Sequence, residues 1–152
     1  MNLNQAVVDL AYAVAALNAL PALLGGWRWY RGEPSRAFWV LLRVGQAGAL
    51  VLALTAGVLV AAGYSASDRL FYLYAALPVV IGFVAEQLRI TSAQTILDQL
   101  DLEDAQAVGR LPERDQRKVV ASIVRREMGV MTLSAIVVVF LAVRAAATAH
   151  GF

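Results

Sequence analysis

The sequence predicts an all-α integral membrane protein, a four-helix bundle whose third and fourth helices extend into a cytoplasmic helical hairpin. Three observations carry this. The chain of 152 residues is 60% hydrophobic and 16% charged, with a mean hydropathy of +0.64, whereas soluble domains run at about 45–50% apolar and about 25% charged. Apolar segments at about 5–24, 38–62, 70–90 and 128–148 reach or approach the roughly 20 residues that cross a bilayer. The second and fourth of these have no polar face, which a helix bathed in water on one side requires. A soluble bundle is therefore disfavoured, and residues 1–152 read as a single transmembrane domain.

The first segment carries Asp9 and Asn18, with Pro21 near its end. The second, RVGQAGALVLALTAGVLVAA from Arg43, holds no charge after Gln46. Along it Gly45, Ala49, Ala53, Gly57 and Ala61 recur every fourth position. That ridge permits close helix approach of the small-xxx-small kind, and Ala11, Ala15 and Ala19 offer the same spacing on the first helix. Alanine is common throughout, so part of this pattern is composition, but two glycines in one register are not. The third segment continues beyond the membrane, because Ala93, Ile96, Leu97 and Leu100 keep a helical spacing. Asp101 is placed to cap a short helix, LEDAQAV, that stops at Gly109. Pro112 suits the first turn of a new helix, where Glu113 and Asp115 complement the dipole. Val119, Val120, Ile123 and Val124 give that helix an apolar stripe, and it runs unbroken into the fourth span. Residues 91–127 thus form the hairpin, its two stripes facing each other; docking of a partner is the sharper alternative.

Connections set the orientation. The first, GGWRWYRGEPSR, carries Arg28, Arg31 and Arg36 against Glu33, and the second, GYSASDR, only Asp68 and Arg69. The third holds Arg89, Arg110, Arg114, Arg117, Lys118, Arg125 and Arg126. Short cytoplasmic loops collect Lys and Arg, so the first and third connections lie inside and both termini lie outside, in a multi-pass plasma (inner) membrane protein. Trp27, Trp29, Tyr30 and Trp39 near one face, and Tyr64, Phe71, Tyr72 and Tyr74 near the other, form two aromatic belts. A Trp-rich ligand site is the rival reading of WRWY. The basic residues of the hairpin would lie against anionic headgroups, each contributing about 1 kcal/mol near the surface. No aromatic-interleaved basic platform is present, so no nucleic-acid partner is expected. The N-terminus lacks the basic region of a cleavable signal peptide. Abundant Ala and Arg, with Lys118 the sole lysine, fit a GC-rich bacterial gene.

Composition also excludes chemistry. Without Cys there is no disulfide, thiolate metal site or thiol redox couple, and His150 is the lone histidine. No phosphate loop, HExxH, Ser–His–Asp set or nucleophile with its base is visible. No catalytic residue, metal or cofactor is expected. The groups worth attention are charges within spans, which are costly and therefore paired or functional. Arg43 lies about a turn inside the second helix and Glu86 near the inner end of the third, so the two share a depth. Gln46 and Gln87 join them as a candidate polar site, Arg43, Gln46, Glu86 and Gln87. At the other face Asp9 and Arg144 are a candidate outer ion pair.

Three roles fit these features. The first is a non-enzymatic accessory or interaction subunit that meets membrane lipids and assembles through its transmembrane helices, as a homo-oligomer or in a larger complex. The second is a small oligomeric transporter or channel with its site at Arg43, Gln46 and Glu86. The third is a membrane enzyme or binder of a lipid or quinone. The first is preferred, because no catalytic constellation accompanies the polar cluster.

Overall fold

A computed structural model describes residues 2–102 and 105–152. Five helices follow in order: α1 (Leu3–Arg31), α2 (Arg36–Ala61), α3 (Leu70–Gln99), α4 (Ala105–Gly109) and α5 (Glu113–Thr148). Among the described residues there is no strand. Helices α1, α2, α3 and α5 are each long and apolar enough to span a membrane.

Helix α1 is longer than its apolar segment. Residues 25–31, expected to form most of the first connection, are helical, and only residues 32–35 link α1 to α2. Two contacts explain the extension. Gly25 lies against Phe38 and Thr132, and Gly129 leaves room for the Trp29 ring on α5, where a Cβ would lie 3.1 Å from Trp29 Cε2. The helix then stops where its backbone can turn left-handed. Gly32 has φ 68°, and the Glu33 N–H donates to the Arg28 carbonyl at 3.0 Å. Ser35 opens α2, its Oγ accepting from the Phe38 N–H at 3.3 Å.

Helix α3 runs on past the apolar segment to Gln99. Asp101 sits there at φ 52°, and the Leu102 N–H donates to the Leu97 carbonyl at 2.9 Å. Asp101 therefore serves as the left-handed residue that ends α3. The cap it was expected to provide for the following helix would fall on residues 103 and 104, outside the described residues. Pro112 precedes α5 rather than lying in its first turn, and its carbonyl accepts from Asp115 and Gln116. Pro21 and Pro78 are buried inside α1 and α3. Neither can donate to the carbonyl one turn back, and each helix continues because its neighbours hold it.

Helix α1 packs on α5 and α2, and α3 packs on α5 and α2, while α2 and α5 scarcely meet. Small side chains lie between α1 and α5: Ala11 and Ala15 of α1 are buried with Ala142 and Ala145 of α5. Large buried groups fill both ends of the interior. Phe38, Leu42, Met128 and Met131 gather at one end, and Phe71 lies toward the other with Leu52 and Val138. Phe71 is thus a core residue, not a member of an interfacial belt. Its ring stands edge-on to Phe152 at 5.2 Å between centroids. The C-terminal residues are tied down around it: the Phe152 N–H donates to Asn4 Oδ1 at 2.7 Å, and the Ser67 N–H to the His150 carbonyl at 2.8 Å.

Candidate functional site

The polar cluster is built by one turn from each of two helices. On α2, Arg43 and Gln46 are three residues apart and meet, Arg43 Nη1 donating to Gln46 Oε1 at 2.8 Å. On α3, Glu86 and Arg89 have the same spacing, with Arg89 Nε 3.7 Å from Glu86 Oε2. Between the helices, Arg43 Nη1 donates to Glu86 Oε1 at 2.6 Å and Gln46 Nε2 to the same oxygen at 3.2 Å. Arg89 also lies over the Trp39 ring, 5.1 Å from its centroid. Two guanidiniums thus face one carboxylate. The Glu86 side chain is 24% exposed and Arg43 53%, so the carboxylate is the inner member and Arg43 the outer one. Gln87 stays outside: it is exposed, and its carbonyl accepts from Thr91 Oγ1. One residue on from Glu86 is about 100° round the helix, which turns Gln87 away from α2. Arg89, on the Glu86 face, takes the place expected for Gln87.

A groove of about 250 Å³ leads away from the cluster between α2 and α3. Gln46 and Glu86 stand at one end, and Leu50, Pro78, Val79, Gly82 and Phe83 line the rest. A larger groove of about 630 Å³ occupies the far half of the same α2–α3 face, lined among others by Ala53, Gly57, Val60, Tyr72 and Ala76. The small-residue ridge divides between settings. Gly45 and Ala49 are buried, Ala53 is half-buried, and Gly57 and Ala61 are exposed. A four-residue step overshoots a full turn by about 40°, so the row winds around α2 instead of following one neighbour.

Asp9 and Arg144 do not pair. Asp9 Oδ1 accepts from Gln5 Nε2 at 2.8 Å, and Arg144 lies 5.4 Å from the Tyr74 ring centroid. The α1–α5 contact uses Val7 and Ala11 on one side and Ala142 and Ala145 on the other. Asp9, two residues from each of its flanking contacts, points to the opposite face of α1, so equal depth does not bring the charges together.

Asn18 is the polar residue that sequence reasoning passed over. It is 1% exposed, with Nδ2 donating to the Val14 carbonyl at 2.9 Å and across to the Gly45 carbonyl at 3.1 Å. Its signal was present: an amide inside an apolar span, opposite a glycine that exposes backbone. Among the described residues no three of His, Cys, Asp and Glu gather as a metal site requires. The cluster offers a surplus of cationic donors beside an apolar groove, without a nucleophile and base in reach of one another. No family model, curated protein or solved structure matches the chain.

Proposed function

We propose that this chain is a four-span membrane subunit with a non-enzymatic role, one domain in which α1, α2, α3 and α5 form a bundle. In this reading α3 and α5 project together into the cytoplasm as a helical hairpin, and both termini lie across the plasma membrane. Arginine distribution supports that orientation: Arg28, Arg31 and Arg36 share a side with Arg110, Arg114, Arg117, Arg125 and Arg126. The subunit assembles with a second copy of itself through the α2–α3 face. The observation that carries the proposal is the open far groove. A Cβ placed on Gly57 would meet no atom within 4 Å, although Gly57 belongs to the ridge whose inner half is packed. In the proposed assembly two such faces meet about a two-fold axis, with Gly57 against Gly57, as in glycine-mediated helix pairs.

The test is the mass of the full chain in mild detergent by light scattering. The expected result is a dimer for the native chain and a monomer for Gly57→Leu, with unchanged thermal unfolding because that position opens to free space. A native chain that is monomeric in both detergent and lipid discs overturns the assembly.

The transporter reading draws on the groove that ends at Gln46 and Glu86. Against it stands the position of the cluster on the α2–α3 flank, where Arg43 is half exposed, rather than among all four long helices. Exchanging Arg43 and Glu86 together for Leu separates the two readings. A paired scaffold tolerates the exchange, and a transport site does not.

A further inference from the structure

We propose that the inner α2–α3 groove holds an anionic phospholipid, its phosphodiester against Arg43 and Arg89 and one acyl chain along Leu50, Val79, Gly82 and Phe83. This rests on the membrane-spanning reading but not on self-assembly, which uses the other end of the same face.

Charge is the first reason. Arg43 and Arg89 share the single carboxylate of Glu86, which leaves one positive charge uncompensated at the site. Both hydrogen bonds of Arg43 leave from Nη1, so Nε and Nη2 retain donors for a further acceptor. A guanidinium suits a phosphate because its donors match two oxygens at once. A monoanionic phosphodiester balances the surplus charge. A zwitterionic headgroup brings a cation of its own against the two arginines.

Shape is the second reason. The groove is polar only where it meets Gln46 and Glu86 and apolar beyond. From Glu86 to Pro78 is eight residues, so the apolar part runs about 12 Å along α3. Gly82 forms the floor: a Cβ there would meet nothing within 4 Å. Trp39, stacked with Arg89, stands beside the polar end, as an indole does at headgroup depth. Gln46 and Glu86 line this end of the groove itself, and Arg43 and Arg89 stand next to it on the same carboxylate, so the headgroup of the proposed lipid lies past the end of the groove and its chain within it.

The experiment is native mass spectrometry of the full chain in detergent with equal amounts of phosphatidylglycerol and phosphatidylcholine. The native chain is expected to carry phosphatidylglycerol in preference. Each arginine near a headgroup is worth about fivefold in occupancy, so the double variant Arg43→Gln, Arg89→Gln loses most of that preference. Glu86→Gln, which removes the competing carboxylate, raises it. Gly82→Leu leaves the ion cluster intact, fills the groove and lowers total bound lipid without shifting the thermal midpoint downward. Equal binding of the two lipids by the native chain overturns the proposal, as does an undiminished preference in the double variant or full lipid occupancy in Gly82→Leu. A chain that stays dispersed without detergent overturns the membrane reading itself. A detergent-dependent chain with no preference overturns the lipid site alone.

Discussion

Asn18 of α1 reaches the carbonyl oxygen of Gly45 on α2 at 3.1 Å, through a gap that exists because Gly45 has no side chain. A Cβ at position 45 would lie 2.7 Å from Asn18 Oδ1. The two residues are therefore one packing unit. Gly45→Ala is expected to cost about 1–3 kcal/mol through overpacking. Asn18→Ala costs less, about 1 kcal/mol, in line with interhelical hydrogen bonds in membranes. The double variant is less destabilised than the sum of the singles, because alanine at 18 makes room for a methyl at 45. Reversible unfolding of the four chains in bicelles measures the coupling, and strict additivity would show that the residues act independently.

Glu86 is the hub of its cluster, and the consequences of removing its partners are unequal. Arg43→Leu leaves Arg89 beside the carboxylate. Glu86→Leu leaves two guanidiniums without their carboxylate and Gln46 with one acceptor fewer. Glu86→Leu is therefore expected to destabilise more than Arg43→Leu, and the double replacement less than Glu86→Leu alone. Thermal midpoints in detergent rank the three. A larger loss from Arg43→Leu than from Glu86→Leu would contradict the hub role.

Neighbouring glycines in α1 separate propensity from packing. At Gly25 a Cβ would lie 2.8 Å from Phe38 Cδ2, on a ring that is fully buried and held. At Gly26 the nearest atom is Thr132 Cγ2 at 3.9 Å. Gly25→Ala is expected to destabilise by about 1–3 kcal/mol. Gly26→Ala is neutral or stabilising by up to about 1 kcal/mol, because alanine is the better helix former. Opposite signs in the same unfolding assay are the result to look for.

The C-terminal residues close one end of the core, and this closure is open to measurement. Phe71 is fully buried under Phe152, so Phe71→Ala is expected to cost about 3–5 kcal/mol. Asn4→Ala and Phe152→Ala are each expected to cost about 1 kcal/mol, and less than additively, since both release the same segment. Amide exchange at Ser67, whose N–H donates to the His150 carbonyl, should accelerate in both. Unchanged Ser67 protection would mean that the segment is held elsewhere.

Topology can be read cleanly because the chain has no native cysteine. Ser65 in the α2–α3 connection and Ser122 on α5 are both exposed. With both termini outside, a membrane-impermeant maleimide applied to intact cells labels Ser65→Cys and spares Ser122→Cys until the membrane is opened. The reverse pattern inverts the orientation.

Hydropathy made the four apolar segments legible, since length and the lack of a polar face are properties of composition alone. Depth was legible too: counting residues from the span ends puts Arg43 and Glu86 at one level. Azimuth was not. Gln87 lies at nearly the depth of Glu86 but a third of a turn away, while Arg89 lies a turn on and shares its face. Asp9 and Arg144 fail for the same reason, because neither is on the face through which α1 and α5 meet. The ridge from Gly45 to Ala61 looked continuous in one dimension and divides in three, since a four-residue repeat drifts around the helix. The reach of α1 through residues 25–31 depends on Phe38, Thr132 and Gly129, partners outside the segment that no local pattern supplies.

Helix α5 is 36 residues long, contains no proline, and runs from Glu113, in the polar part of the chain, to Thr148 beside the far core. Such a rod measures about 54 Å. It lacks the prolines that each remove a backbone donor from α1 and α3, and its one glycine is wedged against Trp29. Arg114 and Arg117 at its charged end, and Ala142 and Ala145, which pack with α1, therefore belong to one unbroken helix. One continuous backbone thus carries both the basic residues of the polar segment and the surface on which α1 rests.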